Sequence, residues 1–242
     1  MAQNIYDDPG FFAGYGSMRR SRLGLDGAPE WLSLRALLPT MQGKHVVDLG
    51  CGYGWFARWA SDEGAQSVVA LDVSEKMLAR GREINAARGV SYERADLDAL
   101  ELPEAAFDLA YSSLAFHYIA DVEQAFLTIH RSLLPGGQFV FSTEHPIYMA
   151  PSKPDWIDAG DGMQIWPLDD YGREGERRTN WFADGVIKYH RTFGTTINAL
   201  IKSGFTIDHV EDWVPSAEQL ADDPSLGVEL ARPTFLIVAA HK

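Results

Sequence analysis

The chain has 242 residues, of which 46% are hydrophobic and 23% are charged, as expected of a globular protein with a substantial core. Its formal net charge of −13 disfavours a nucleic-acid substrate, because an acidic surface repels phosphate groups. The single cysteine, Cys51, excludes an intramolecular disulfide framework and a multi-cysteine zinc site.

The sequence shows no signal for a membrane or for export. No window holds the roughly 18 uncharged apolar residues of a membrane span, and residues 1–12 lack the basic and apolar regions of a secretory signal. We therefore expect a cytoplasmic protein that contacts no membrane and no nucleic acid. Whether it is a monomer or a homodimer stays open.

Strands and helices alternate in the first part of the chain, where short β-branched runs predict strands and apolar residues at helical spacing predict helices. The predicted strands are Lys44–Leu49, Ser67–Asp72, Val90–Arg94, Phe107–Ser112 and Gln138–Ser142. The predicted helices are Trp31–Leu38, Trp55–Asp62, Ser74–Arg88 and Asp121–Leu134. This alternation is typical of a parallel sheet with helices on both faces.

The pattern changes after Glu144, since residues 146–176 show no clear period and predict either a long loop or an inserted lid. The elements predicted next are a hairpin over Trp181–Thr192 that turns at Asp184–Gly185, a helix over Thr195–Ser203, and strands over Thr206–Trp213 and Thr234–His241. We therefore expect one domain, divided into an N-terminal helical cap (1–43), a core (44–145), an insertion or lid (146–192) and a C-terminal part of the sheet (193–242).

A glycine-rich turn joins the first predicted strand to the following helix. Gly50, Gly52 and Gly54 permit a sharp turn and the close approach of a ligand. The start of the helix adds free N–H groups that suit an anionic group. This segment alone fits either a cofactor site or a structural turn.

Acidic residues at the ends of the first three strands favour the cofactor site. Asp48, Asp72 and Asp96 are expected to line one crevice, because the carboxyl ends of parallel strands meet at one edge of the sheet. Asp72 is spaced to accept hydrogen bonds from ribose hydroxyls. Trp55 stands where a dinucleotide fingerprint has glycine or alanine, and Asp48 would repel a pyrophosphate. The pattern thus favours a ligand with an ammonium group.

The motifs of residues 44–145 resemble, in order, those of class I S-adenosylmethionine-dependent methyltransferases of the small-molecule type. The matching segments are Val46–Gly54, Ala70–Leu78, Ala95–Leu97, Phe107–Tyr118 and Leu133–Gly137. The resemblance implies a Rossmann-like α/β three-layer sandwich with a seven-stranded, mostly parallel sheet ordered 3-2-1-4-5-7-6. It also implies S-adenosyl-L-methionine as cofactor and methyl transfer to a small-molecule acceptor.

The resemblance assigns cofactor-binding roles by position. It places the glycine turn at the methionine part, Asp72 at the ribose, and Asp96 with Leu97 at the adenine. We further expect Arg19 near the cofactor's carboxylate. The full set is Tyr15, Arg19, Asp48, Gly50, Cys51, Gly52, Asp72, Val73, Met77, Asp96, Leu97, Ser112 and His117.

The candidates for handling the acceptor's proton are His117, Glu144, His145 and His190. Each histidine also has a structural interpretation: packing beside the cofactor for His117, shaping a turn for His145, and a satisfied strand histidine for His190. No two histidines have a ligand-like helical spacing, so no metal site is expected.

Two other functions remain open. The glycine turn also suits an NAD-dependent oxidoreductase, although Trp55 argues against it. A non-catalytic S-adenosylmethionine-binding protein would have the same cofactor motifs.

Overall fold

Eleven strands and nine α-helices are assigned in the computed structural model, which describes residues 3–242. The strands are β1 (His45–Leu49), β2 (Ser67–Asp72), β3 (Val90–Arg94), β4 (Phe107–Ser113), β5 (Leu133–Glu144), β6 (Ile157–Gly160), β7 (Met163–Ile165), β8 (Gly175–Trp181), β9 (Ala183–His190), β10 (Thr206–Asp212) and β11 (Phe235–His241). The helices are α1 (Pro9–Ser17), α2 (Arg19–Leu23), α3 (Trp31–Leu37), α4 (Trp55–Asp62), α5 (Glu75–Ile84), α6 (Val122–Ser132), α7 (Pro146–Met149), α8 (Phe193–Lys202) and α9 (Ala217–Asp222). Residues 1 and 2 of the expected N-terminal cap lie outside the described residues.

Seven strands form one sheet in the order β10-β11-β5-β4-β1-β2-β3. Strand β11 runs antiparallel to both of its neighbours, and the other neighbouring pairs of the sheet are parallel. When the seven strands of this sheet are numbered along the chain, β10 and β11 become the sixth and seventh, and the order read from β3 is 3-2-1-4-5-7-6. The predicted Rossmann-like fold is therefore confirmed.

Helices cover both faces of the sheet, and each face has its own apolar cluster. On one face Phe126 of α6 and Leu200 of α8 pack against Phe139 of β5. On the other face Trp31 of α3 and Phe56 of α4 pack against β1 and β4. Because both faces are covered, β1 reads as a nearly continuous apolar run.

Two predicted helices were too long. Helix α5 ends at Ile84 and not at Arg88, because the Asn85 side chain leaves the helix to donate a hydrogen bond to the Tyr53 carbonyl at 2.8 Å. Helix α6 ends at Ser132, and Leu133 already pairs with Phe107 of β4. Strand β5 consequently begins five residues before the predicted Gln138.

The predicted hairpin was wrong in its start and in its turn. It spans β8 and β9, begins at Gly175, and reverses at Phe182, whose φ is 56°. Asn180 closes the turn by accepting a hydrogen bond from the Gly185 N–H at 3.1 Å. Strand β8 escaped prediction because its inward-facing side chains are largely polar.

The insertion after β5 contains α7 and two small hairpins, β6–β7 and β8–β9. Arg232, from the C-terminal part of the chain, packs against this insertion. Its guanidinium carbon lies 4.7 Å from the ring centres of both Tyr148 and Trp166. The segment thus contains short elements rather than an unstructured loop, and its assignment as a lid stays a prediction. Within residues 3–242, no helix has the length and apolar character that crossing a bilayer requires.

We expect Phe126→Ala to lower the free energy of unfolding by about 3–5 kcal/mol, because it removes a fully buried ring from the cluster beneath α6. The matched control is Ile201→Ala on α8, where the side chain is 56% exposed and the expected change is within about 0.5 kcal/mol. Urea unfolding followed by circular dichroism measures both. Equal effects of the two substitutions would contradict this assignment of the core.

Candidate active site

A cavity of about 620 Å³ lies where β1 to β5 end. Its floor is formed by residues that follow these strands, and its opposite side by the N-terminal segment and the β8–β9 hairpin. Ligands of open α/β sheets bind at this edge. The volume is also within the range of roughly 300–1,000 Å³ that is usual for small-molecule sites.

The turn from β1 into α4 requires glycine for both conformation and space. Gly50 and Gly54 have φ values of 75° and 74°, in the left-handed region that disfavours other residues. A Cβ atom at Gly50 would lie 2.5 Å from the Cβ of Ala115, and one at Gly54 would lie 2.2 Å from the hydroxyl of Tyr92. Glycine at these two positions therefore lets Ala115 and Tyr92 pack against the turn, and Gly50 also lines the cavity.

Asp72 connects the end of β2 to this turn. Its carboxylate accepts hydrogen bonds from the N–H groups of Gly52 at 2.8 Å and Ser74 at 2.9 Å. Burial raises the pKa of Asp72 to about 6, although both N–H groups lower it. Each carboxylate oxygen has further capacity to accept a hydrogen bond from a ligand.

Asp48 is the most perturbed acid of the site. Its side chain is 2% exposed, and within residues 3–242 its Oδ2 atom has no hydrogen-bond partner. Burial, and next the charge of Asp72, raise the pKa of Asp48 to about 8. A ligand carrying an ammonium group would supply the missing partner, so Asp48 fits the cofactor that the sequence motifs imply.

Most of the residues assigned to the cofactor line this cavity. They are Tyr15, Asp48, Gly50, Cys51, Gly52, Asp72, Val73, Met77, Asp96, Leu97 and His117. Ser112 and Arg19 do not line the cavity, and in both cases the next residue in the chain lines it instead.

Ser112 is fully buried in β4, and its hydroxyl donates to the carbonyl of Leu49 at 2.7 Å. Successive side chains of a strand point to opposite faces, and Ser113 is the residue that lines the cavity. Ser113, and not the predicted Ser112, is therefore the serine of β4 that faces the cavity.

Arg19 points away from the cavity, with its side chain 65% exposed and its Nη1 atom 3.6 Å from Asp223. Arg20 lines the cavity instead. Its Nη2 atom contacts both carboxylate oxygens of Glu30, at 3.0 and 3.1 Å, and Glu30 is fully buried. Arg20, and not the predicted Arg19, is therefore the arginine that lines the cavity, a difference that the sequence pattern did not distinguish.

Glu144, His117 and Lys188 meet on the other side of the cavity. The Lys188 ammonium donates to Glu144 Oε1 at 2.5 Å, and His117 Nε2 lies 3.8 Å from the same oxygen. Glu144 Oε2 is buried and has no hydrogen-bond partner within the described chain. Lys188 is not among the predicted site residues, because only the register of the hairpin shows that it faces inward.

The electrostatics of this group favour an ionised Glu144. Burial raises the pKa of Glu144, but the charge of His117 in its protonated form and the charge and hydrogen bond of Lys188 lower it, and the net shift is downward. Burial lowers the pKa of His117 to about 4, so its ring is neutral near pH 7. Because His117 Nδ1 accepts the N–H of Glu144 at 3.4 Å, the ring proton is assigned to Nε2. His117 then has no free lone pair for a substrate proton.

The other two predicted histidines lie apart from the cavity. His145 caps α7 by accepting the N–H of Ile147 at 3.0 Å, and its Nε2 atom lies 2.7 Å from Asp212. His190 is fully buried, and its Nε2 atom bonds to the carbonyl of Tyr171 at 2.9 Å. The structure therefore brings His117 and Glu144 together and leaves these two histidines in structural contacts.

Aromatic rings form much of the wall around Lys188. The Lys188 ammonium lies 5.1 Å from the ring centre of Trp181 and 5.8 Å from that of Tyr118. The hydroxyls of Tyr118 and Tyr6 are 3.2 Å apart. Tyr148 also lines the cavity. The cavity thus has an acidic half beside the glycine turn and an aromatic half beside Glu144.

The comparisons with known proteins agree with this geometry. A family model for a methyltransferase domain matches residues 47–141. The crystal structure of an S-adenosylmethionine-dependent methyltransferase from Mesorhizobium loti is 58% identical, with a TM-score of 0.87, and the match covers 90% of this chain and 100% of that chain. An uncharacterized protein from Haemophilus influenzae is 35% identical over 99% of this chain and 97% of its own length.

A malonyl-[acyl-carrier protein] O-methyltransferase from Erwinia billingiae is 39% identical over 103 residues. That match covers 42% of this chain and 39% of the relative, so the chain matches less than half of that enzyme's length. The family likeness excludes the NAD-dependent oxidoreductase, and S-adenosylmethionine is the cofactor. The chain belongs to the S-adenosylmethionine-dependent methyltransferases.

Proposed function

We propose that this methyltransferase acts on a small molecule whose hydroxyl or amine group faces Glu144. The observation that carries the proposal is the Oε2 atom of Glu144, which is buried and has no partner in the described chain, in the cavity that also contains the glycine turn. An ionised carboxylate with a free oxygen accepts a hydrogen bond and then a proton from such a group.

The size and charge of the site support a small acceptor. A single cavity of about 620 Å³ borders both the glycine turn and the aromatic half, and the net charge of −13 opposes a nucleic-acid substrate. The match to the malonyl-[acyl-carrier protein] enzyme covers 42% of this chain, which is too little to extend its acceptor to this protein.

We infer that the cofactor is held in the acidic half. Asp72 would accept hydrogen bonds from the ribose, and Asp48 would attract the ammonium group of the methionine part. The residues expected to line its remaining surface are Tyr15, Gly50, Cys51, Gly52, Val73, Met77, Asp96, Leu97, Ser113 and His117. S-adenosylmethionine supplies a methyl group that its sulfonium already activates for in-line displacement.

The residues of the aromatic half then have separate tasks. Glu144 would take the proton that the acceptor's oxygen or nitrogen loses as it bonds to the methyl carbon. Lys188 holds the other oxygen of Glu144 and so fixes the orientation of the carboxylate. Trp181 and Tyr118 would exclude water from the reacting groups.

The N-terminal segment and the hairpin are proposed to open together as a cover over the cavity. The Gln3 side chain donates to the Gly185 carbonyl at 3.0 Å and accepts the Ile187 N–H at 2.8 Å. The ring of Phe182 lies 6.0 Å from that of Phe11. These contacts join the proposed cap to the proposed insertion, and the division of the chain into a cap, a core, an insertion and a C-terminal part remains a proposal.

The first experiment measures transfer of a tritiated methyl group from S-adenosylmethionine to a panel of small molecules bearing hydroxyl or amine groups. We expect at least one to be methylated, and Glu144→Gln to lower its turnover by about 100-fold or more, because the proton acceptor is lost. The affinity for S-adenosylhomocysteine should stay unchanged. The control is Glu101→Gln, at an exposed position away from the cavity.

Two results would contradict the proposal. Full turnover by the Glu144→Gln variant would remove Glu144 from the reaction. Binding of S-adenosylhomocysteine without transfer to any member of the panel would favour the non-catalytic cofactor-binding protein.

We also expect the affinity for S-adenosylhomocysteine to rise with pH. The pKa values of Asp48 and Asp72 are about 8 and about 6, so both carboxyls lose protons as the pH rises, and their charged forms attract the ligand's ammonium group. Calorimetry should show binding at least about tenfold tighter at about pH 7.5 than at about pH 5.5.

Asp48→Asn should lose most of this dependence, because the amide does not titrate, and the exposed Asp158→Asn should keep it. An Asp48→Asn variant with the pH dependence of the unmodified protein would show that Asp48 does not interact with the ligand.

A further inference from the structure

The inner face of the β8–β9 hairpin presents two cations to the aromatic half of the cavity. Arg177, Thr179 and Trp181 alternate along β8 and all line the cavity. Lys188 of β9 pairs with Arg177 in the register and lines it as well. Like charges that face each other across two strands destabilise a hairpin, so this arrangement points to an anion between them.

The protein itself supplies one negative charge here. Glu144 pairs with Lys188, whose side chain is 5% exposed. Within residues 3–242, Arg177 forms no ion pair: its Nη2 atom donates to the Arg173 carbonyl at 2.6 Å and its Nη1 atom to the Glu176 carbonyl at 3.3 Å. These bonds fix the guanidinium without neutralising it. The inner face of the hairpin and Glu144 therefore contribute two cations and one carboxylate, while Arg178 and Glu176, which also line the cavity, pair with each other at 2.7 Å.

Two hydrogen-bonding atoms of β8 have no partner. The Nε atom of Arg177 and the Oγ1 atom of Thr179 are buried and make no hydrogen bond within the described chain. Lys188 donates to Glu144, and a lysine has three protons to donate. Buried donors without acceptors are costly in a folded protein and are expected to find a partner in a ligand.

We propose that the methyl acceptor carries a carboxylate, which binds at Arg177 Nε, Thr179 Oγ1 and the Lys188 ammonium. This inference rests on the proposed function, because it places the acceptor's hydroxyl or amine at Glu144. The carboxylate supplies both the missing acceptor atoms and the missing negative charge of the hairpin. The acceptor class is then a small hydroxy- or amino-carboxylic acid with an apolar body that packs on Trp181.

The test is calorimetry on the full chain saturated with S-adenosylhomocysteine, so binding is measured without turnover. The probes are matched pairs of acid and neutral amide: 4-hydroxybenzoate with 4-hydroxybenzamide, 4-aminobenzoate with 4-aminobenzamide, and 3-hydroxybutanoate with 3-hydroxybutanamide. We expect the acid of at least one pair to bind about tenfold or more tightly than its amide, because charge-assisted hydrogen bonds are stronger.

Variants connect this preference to the hairpin. Thr179→Val keeps the shape of the side chain and should reduce the preference several-fold, and Lys188→Met should abolish it, with affinity for S-adenosylhomocysteine unchanged in both. Arg173→Met is the control: it removes a cation whose side chain is 84% exposed and outside the cavity, and it should behave as the unmodified protein. Thr179→Val decides alone if Lys188→Met does not fold.

The proposal is overturned if no acid binds more tightly than its amide, or if Thr179→Val retains the full preference. Failure of the proposed function looks different. Acids would then bind preferentially and receive no tritiated methyl group from S-adenosylmethionine, which leaves the carboxylate site in place. Methylation of the neutral amides as readily as the acids would support the proposed function and overturn this inference.

Discussion

Two buried carboxyl groups at the ends of neighbouring strands control this site. Asp48 and Asp72 form no ion pair within the described chain, and each has a pKa raised chiefly by burial. The parallel sheet places them on neighbouring strands, and the glycine turn brings the Gly52 N–H group to Asp72. Two acids without a cation are costly in a protein interior. A positively charged ligand would stabilise this arrangement, as the proposed S-adenosylmethionine site requires.

The aromatic half of the cavity differs, because its buried carboxylate is paired with a cation. The buried charges there are those of Lys188 and Glu144, which form an ion pair. Such a pair contributes little to stability, because the cost of removing both charges from water offsets their attraction. Glu144 stands at the end of β5, and Lys188 comes from the hairpin that closes over the cavity. The Lys188–Glu144 contact thus joins the hairpin to the end of β5, and under the proposed function it would orient Glu144 for proton transfer.

The sequence was sufficient for the parts of the fold with local signals. Strands β2 and β3 and helix α4 have the predicted bounds, and the glycine turn with Asp48 and Asp72 stands where the motifs placed it. Two predicted site residues differ by one position from those that face the cavity: Ser113 lines it instead of Ser112, and Arg20 instead of Arg19. Which face of a strand or short helix turns inward depends on packing, which the local pattern does not encode. Lys188 of β9 was missed for the same reason. Helix α9 was also not predicted, although the capping box of Ser216 and Gln219 is a local signal for it.

Asp48 is proposed to hold a proton until the cofactor's ammonium group displaces it. Calorimetry of S-adenosylhomocysteine binding near pH 7, repeated in buffers of different ionisation enthalpy, counts the protons exchanged per site. A carboxyl with a pKa of about 8 that becomes charged in the complex predicts the release of close to one proton. Binding with no proton exchange, or with proton uptake, would contradict the account.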